Sequence, residues 1–387
     1  MTTTDILIIG AGISGAVLAE RYAAIGKKVL ILEKRDHIGG NCFDYLDENN
    51  ILVSKYGAHL FHTNHEEVWK YVNRFAHWYK WEHRVLAKVD GQLVPIPVNI
   101  KTVNQIFDLK ISTEAEMEEW LEKNRIEFTN ASNGEEAVLN KLGYELYEKM
   151  FKHYTKKQWD KYPEELDASV LERIPVRKNF DDRYFSDKYQ ALPGGGYTKM
   201  FERILSSPTI EVMLNTDYFD VKDEISGFTK LFYTGPIDRF FEFKHSLEDK
   251  LEYRSINFVK ETVDREYFQE NSVVNYPGLE VDFTRIIEYK HFGNQISERT
   301  TIVKEFTTDE GEPYYPVPNA RNSEIYEKYR EEAEQLKDVY FVGRLANYKY
   351  FNMDQAFKNA LELFALLEGK ISRRRWNSYG KEKARKI

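Results

Sequence analysis

The sequence predicts an α/β protein in three parts. A Rossmann-like parallel-sheet domain is assembled from residues 1–82, 190–248 and 316–387, a helical domain is inserted over 99–189, and an antiparallel β-sheet domain is drawn from 83–98 and 249–315. Three observations predict this division. The chain opens on a strand, glycine turn, helix and strand packed into about thirty residues, the size of one βαβ unit. From about Asn99 to Asp182 it is rich in Glu, Lys, Leu and Tyr, with few β-branched runs. Beyond that, short alternating segments lead to one more continuous apolar strand and a helix near the far end.

Each element follows from its residues. Asp5-Ile6-Leu7-Ile8-Ile9 is an unbroken apolar run, as a parallel strand buried on both faces requires. Gly10-Ala11-Gly12-Ile13-Ser14-Gly15 follows, and Ala16–Ala24 reads as a helix stopped by Gly26. Lys28-Val29-Leu30-Ile31-Leu32 is a second buried strand, closed by Glu33. Val85–Val98 alternates around Asp90-Gly91, a hairpin signal. Glu114–Lys123 and Glu135–Lys152 have helical spacing. Ser255–Val263, Ser272–Tyr276, Arg285–His291 and Thr300–Phe306 read as antiparallel strands. Val339–Gly343 returns to the buried-strand composition and Met353–Glu368 is helical, so the first domain recovers its last strand and helix from the far end.

Composition narrows the function. Lys and Arg number 55 against 63 Asp and Glu, a net charge of −8, opposite in sign to a generic binder of nucleic acid or anionic membrane. An anionic ligand would need a local cluster of arginines. The single cysteine, Cys42, excludes an intramolecular disulfide and a cysteine-based zinc cluster. The histidines show no metal-binding spacing, so no metal is expected. The uncharged run Ile6–Ala19 is too short for a membrane span and is broken by glycines, with no basic segment or cleavage site beside it. The expectation is a soluble cytoplasmic protein with no membrane and no nucleic-acid partner.

The opening hexapeptide gains meaning from its setting. Gly10 permits the tight turn, Gly12 lets the backbone approach a pyrophosphate, and Gly15 allows helix and strand to pack closely. The helix N-terminus then offers free N–H groups to the phosphates, and Glu33 can take ribose hydroxyls. Gly39-Gly40-Asn41 adds a second glycine turn, which points to FAD rather than NAD. Tyr233-Thr234-Gly235-Pro236-Ile237-Asp238 suits a chain passing close to the cofactor. The helix starting near Met353-Asp354, after Gly343-Arg344, could stabilise negative charge on a reduced flavin through its dipole.

Longer strings carry a resemblance. Lys55-Tyr56-Gly57-Ala58-His59-Leu60-Phe61-His62-Thr63, Tyr154-Thr155-Lys156-Lys157-Gln158-Trp159, Arg173-Ile174-Pro175-Val176-Arg177 and Asp182-Arg183-Tyr184-Phe185-Ser186-Asp187 come first. Thr284-Arg285-Ile286-Ile287-Glu288, Glu312-Pro313-Tyr314-Tyr315-Pro316-Val317 and Gly343-Arg344-Leu345-Ala346 running into Tyr348-Lys349-Tyr350 follow. In this order, over nearly the whole chain, they resemble the bacterial UDP-galactopyranose mutases. The resemblance implies an isomerase that interconverts UDP-galactopyranose and UDP-galactofuranose without net redox. In that family N5 of reduced, non-covalently bound FAD attacks the anomeric carbon and UDP leaves. It further implies UDP-galactose as substrate, an external electron donor such as NAD(P)H for activation, and a homodimer.

Site residues follow by position. Arg173 and Arg285 resemble the arginines that hold the diphosphate, where charge-assisted bonds contribute about 1.5–3 kcal/mol each, and with His59 they form the catalytic set. Tyr154 and Trp159 resemble the uridine-binding aromatics, with stacking of about 1–3 kcal/mol per base, and Thr155 lies between them. Tyr184, Phe185, Tyr315 and Tyr350 resemble residues lining phosphates and sugar, and Asn275 an amide near the uridine or phosphate. Two positions depart from the family. Asn352 stands where it usually carries Asp, and His83 where the uracil pocket often carries Asn; both are kept in the substrate set. The implied cofactor set is Gly10, Gly12, Ser14, Gly15, Glu33, Lys34, Gly40, Asn41, His59, Leu60, Tyr218, Gly235, Gly343, Arg344, Met353, Asp354 and Gln355. Residues Ala168–Arg177 are expected to form a lid. The rival readings are a mutase for UDP-N-acetylgalactosamine or a dTDP-deoxysugar, and a net-redox enzyme of amine-oxidase type.

Overall fold

The computed structural model describes residues 4–172, 174–243 and 250–371. Its opening strand is Ile6–Ile9, the helix after it Ile13–Ala23, and the second strand Val29–Leu32. These belong to a five-stranded parallel sheet ordered Ile210–Met213, Val29–Leu32, Ile6–Ile9, Lys230–Tyr233, Val339–Phe341. Strands from three distant stretches of chain meet here; Ile6–Ile9, Val29–Leu32 and Lys230–Tyr233 are covered on both faces, while the edge strand Ile210–Met213 leaves Glu211 and Met213 exposed. Ile6, Ile8, Ile31 and Phe232 pack against helices Ile13–Ala23 and Met353–Leu367. Leu7, Leu30, Leu32, Leu231 and Tyr233 pack on the opposite face with Phe219 and Phe240. That double burial is why the strands read as continuous apolar runs.

A second sheet has seven strands in the order Tyr315–Pro316, Tyr253–Val263, Thr300–Thr308, Arg285–Glu288, Val273–Asn275, Val85–Val89, Gln92–Ile96. All its pairs are antiparallel except Val273–Asn275 with Val85–Val89, a parallel contact inside a sheet expected to be antiparallel. The strand expected over Arg285–His291 ends at Glu288, and a 3-10 turn occupies Tyr289–His291. Asp90 and Gly91 turn the hairpin with positive φ at both positions, as a two-residue turn of matching twist requires.

The inserted helices share a core in which Val103, Met117, Leu139 and Met150 pack against Ala87, Val89 and Val94 of the hairpin. The helix expected over Glu135–Lys152 is broken. It stops at Leu142, Gly143 turns with φ +77°, and the chain resumes as Tyr144–Leu146 and a π-helical turn Tyr147–Lys152. A Cβ at position 143 would lie 2.1 Å from the Asn124 carbonyl oxygen, so a side chain is sterically excluded there. A small antiparallel sheet, Phe61–Thr63, Tyr189–Pro193 and Trp78–Lys80, ties the far end of the helical insert back to the first domain. Among the described residues no helix is long and apolar enough to cross a membrane.

Candidate active site

A cleft of about 830 Å³ runs from the C-terminal ends of the parallel strands to the seven-stranded sheet. Its first half is a glycine cradle. Gly10 has φ +103°, and a Cβ at Gly15 would come 1.9 Å from the Gly10 carbonyl oxygen, so strand and helix meet at contact distance. Gly12 and Gly40 pack backbone against backbone on the cleft wall, where a Cβ on Gly40 would lie 2.9 Å from the Gly12 Cα. The start of helix Ile13–Ala23 lines the cleft, and a dinucleotide pyrophosphate fits such a place. The Glu33 carboxylate accepts from the Ala11 N–H at 2.8 Å and the Arg35 N–H at 2.9 Å. Each oxygen keeps a further lone pair for ribose hydroxyls. Thr234 closes the opposite wall, donating to the Ile9 carbonyl at 2.7 Å. Lys34 bridges to Glu312 at 2.6 Å on the rim. The cradle therefore fits a dinucleotide.

At the other end Tyr253, Arg254 and Ser255 of the seven-stranded sheet line the cleft, and one row of that sheet lies beside them. Asn275 pairs with Arg285, Arg285 with Glu305, and Glu305 with Phe258, so their side chains share a face. Glu305, only 2% exposed, accepts from Arg285 Nε at 2.6 Å. This pairing, together with nearby Tyr154 and Tyr315, holds the guanidinium well above its usual range against the opposing effect of burial. The loop Gly57–His59 crosses above the row, and a Cβ at Gly57 would come 2.8 Å from a Glu305 carboxylate oxygen. Among the described residues, the Asn275 Oδ1 and one Glu305 oxygen are buried without hydrogen-bond partners.

Aromatic rings gather behind Trp159 and Arg344 of the cleft wall. Tyr315 and Tyr350 stack at 5.1 Å, and Trp159 stands 6.5 and 6.3 Å from them. Arg344 lies over Tyr315 at 5.3 Å and Tyr350 at 5.4 Å. Burial raises Tyr154 and Tyr315 above the usual phenol range, which keeps both hydroxyls as donors.

Two histidines are neutral. Burial pushes His59 down to about 4, with Arg344 and Arg285 acting in the same direction. Its Nδ1 lies 2.9 Å from the Gly57 carbonyl and must carry the hydrogen, which leaves Nε2 as an acceptor. Burial, then Arg285 and His62, push His83 down to about 3. His83 lies 5.8 Å from Tyr184 and 6.2 Å from Phe185, and Phe185 stacks on His62 at 3.6 Å. His62 in turn meets Asp187 at 2.9 Å.

Of the expected residues, Gly10, Gly12, Ser14, Glu33, Lys34, Gly40, Asn41, His59, Trp159, Tyr218, Gly235, Gly343, Arg344, Asn352 and Met353 line the cleft. Others stand behind it. Gly15 supports the turn, and Leu60 faces a smaller cavity behind the His59 loop. Asp354 accepts from the Thr63 hydroxyl at 3.0 Å and the Gln355 N–H at 2.8 Å, while Gln355 accepts from the Asn352 N–H at 3.0 Å. These three shape the start of helix Met353–Leu367. Thr155 is buried in the helical insert. Arg173 lies outside the described residues. Two groups were missed by sequence reasoning. Glu305 could have been found as an acid at the same parity as Arg285 on adjacent strands. Arg254 lines the cleft 7% exposed with its Nε unpartnered among the described residues, and no local signal marks it. Cys42 also borders the cleft, but burial pushes its thiol up to about 12.

Comparison with known proteins gives the family. Residues 149–350 match the UDP-galactopyranose mutase family, and residues 8–75 match an NAD(P)-binding Rossmann-like domain. A Klebsiella pneumoniae protein named "Probable UDP-galactopyranose mutase" is 40% identical over 94% of both chains. The dTDP-fucopyranose mutase of Escherichia coli is 36% identical over 92% of this chain and 96% of its own. The crystal structure of a reduced UDP-galactopyranose mutase superposes with a TM-score of 0.76 at 18% identity, covering 96% of this chain and 97% of that one, a likeness of fold. With a family match over half of its length and relatives aligned nearly end to end, the chain belongs to the UDP-galactopyranose mutase family.

Proposed function

We propose that this protein interconverts UDP-galactopyranose and UDP-galactofuranose, with UDP as the group that leaves and returns. One observation supports the reading best: His59 lines the cleft of the glycine cradle and lies within reach of the Arg285 charge, so the Asn275–Arg285–Glu305 row stands beside that cleft. Family membership and the Rossmann-like segment imply a FAD-type cofactor, and the cradle fits one. Bound in its reduced form, the flavin supplies an electron-rich nucleophile for the anomeric carbon. Gly12, Gly40, the N-terminus of helix Ile13–Ala23 and Glu33 hold it without a covalent link. A thiol displaced to about 12 is neither a tether nor a competing nucleophile.

The remaining work falls to this chain's own groups. Arg285, with Arg173, holds the diphosphate and stabilises charge as the sugar–oxygen bond breaks. Keeping UDP beside the sugar favours its return. Tyr184, Tyr315 and Tyr350 donate hydroxyl hydrogens without adding charge. Trp159 and Tyr154 support the uridine beside His83 and Asn275. His59 stays neutral, accepts a hydrogen bond at Nε2, and places no positive charge against the anomeric carbon. Further parts of the reading are activation by an NAD(P)H-type donor, a homodimer and a cytoplasmic location.

A second reading, a mutase for a dTDP-linked deoxysugar, is raised by the Escherichia coli relative at 36% identity, below the 40% of the Klebsiella pneumoniae relative. Dithionite-reduced protein incubated with UDP-galactofuranose or a dTDP-furanose, followed by chromatography, separates the two. Conversion of the UDP sugar at the higher kcat/KM is expected, and Arg285→Ala should keep its flavin while losing conversion. Preference for the dTDP sugar would move the assignment, and stoichiometric substrate oxidation would overturn it for both.

A further inference from the structure

Lys157 sits beside the proposed nucleotide platform, yet its side chain points away from it. Its ammonium lies among four main-chain carbonyls of one loop. Those are Tyr276, Gly278 at 2.8 Å, Val281 at 3.2 Å and Phe283 at 3.1 Å. This loop connects strands Val273–Asn275 and Arg285–Glu288, so its two ends are Asn275 and Arg285. Glu280 and Asp282 of the same loop add attraction for the cation. Lys157 is tied at its other end too, because its own carbonyl accepts the Thr307 hydroxyl, on the strand that carries Glu305. Tyr276 and Phe283 pack edge to face at 4.8 Å and draw the loop's two limbs together.

We infer that Lys157 is a positioning residue. Its ammonium replaces the hydrogen bonds the loop cannot make within itself, and thereby couples helix His153–Trp159, bearing Tyr154 and Trp159, to the strands bearing Asn275, Arg285 and Glu305. The base platform and the diphosphate anchor stand on different elements of the fold. A nucleoside diphosphate must touch both at once, and small misplacement of such anchors lowers affinity sharply. The charge matters because converging carbonyls repel one another unless a cation lies between them. Arginine is not an equivalent, since a planar fork cannot replace a compact ammonium among four converging oxygens.

This inference rests on the proposed binding of a nucleoside diphosphate, so its test includes a readout that needs no ligand. Lys157→Ala and Lys157→Gln are prepared as flavin-loaded protein. UDP affinity is measured by titration, and hydrogen exchange is followed by peptide. Lys157→Ala should keep its flavin and weaken UDP binding about tenfold. Exchange should rise in residues 276–284 while the peptides of 6–33 stay protected. Methylammonium at tens of millimolar should restore both readouts, and tetramethylammonium, which has no N–H to donate, should not. Lys157→Gln, with an amide and no charge, should fall between parent and Lys157→Ala. The inference is overturned if Lys157→Ala binds UDP within twofold of the parent, if exchange rises evenly along the chain, or if methylammonium restores nothing. If the parent fails to bind UDP, the functional reading fails instead, and local exchange with amine rescue still judges the carbonyl cage.

Discussion

His83 offers a direct measure of the electrostatics of this site. It is 5% exposed, its Nδ1 has no hydrogen-bond partner among the described residues, and the Arg285 charge acts on it. Burial and that neighbour take it from 6.5 to about 3. A base whose pKa is lowered by folding binds its proton more readily in the unfolded chain. The folded state therefore keeps this contribution above pH 6.5 and loses it as pH falls toward 3. At about 1.4 kcal/mol per tenfold change, the loss is about 2 kcal/mol by pH 5 and about 4 kcal/mol by pH 3. Replacement by Asn, which does not titrate, removes this component and leaves the other groups in place. Urea unfolding of parent and His83→Asn at pH 7 and pH 5 isolates it. The parent should lose about 2 kcal/mol more than the variant over that interval. Equal losses in the two proteins, within about 0.5 kcal/mol, would show that His83 is not a desolvated neutral imidazole and would remove the basis for placing it in the base pocket.

Three further outcomes are expected. Gly15→Ala puts a methyl carbon 1.9 Å from the Gly10 carbonyl oxygen, so the purified variant should lose flavin absorbance and melt earlier; full flavin occupancy would contradict the packing. Glu305→Gln leaves Arg285, whose side chain is 30% exposed, without the carboxylate that accepts its Nε, a loss smaller than the cost of stranding a fully buried charge. Its melting temperature should fall and UDP should raise it by more than in the parent, since an anionic ligand compensates the unpaired guanidinium; an unchanged melting temperature counts against the pairing. Trp159→Ala should weaken UDP binding by about 1–3 kcal/mol, the range of one base stacked on an aromatic ring, with an unaltered flavin spectrum. Unchanged UDP affinity would remove Trp159 from the platform.

Local chemistry by itself determined the cradle. Ile6–Ile9, Gly10, Gly12, Gly15, Val29–Leu32 and Glu33 lie in one short βαβ unit, and strand burial, glycine turn and helix start are all encoded by near neighbours. The hairpin around Asp90-Gly91 was legible for the same reason. The expected helix over Glu135–Lys152 failed at Gly143, which ends it with φ +77°, a glycine stop passed over in reading the helical spacing, and which packs too close to the Asn124 carbonyl for any side chain. Glu305 went unseen because its partner is 20 residues away and is chosen by strand register. Asp354 looked like a cofactor contact by position, yet its oxygens accept from Thr63 and Gln355. Tertiary structure alone decided which charges face each other and how well water is excluded from them. Sequence names the ionisable groups, but the burial and the Arg285 field that hold His59 and His83 neutral arise only when separate strands and helices pack together.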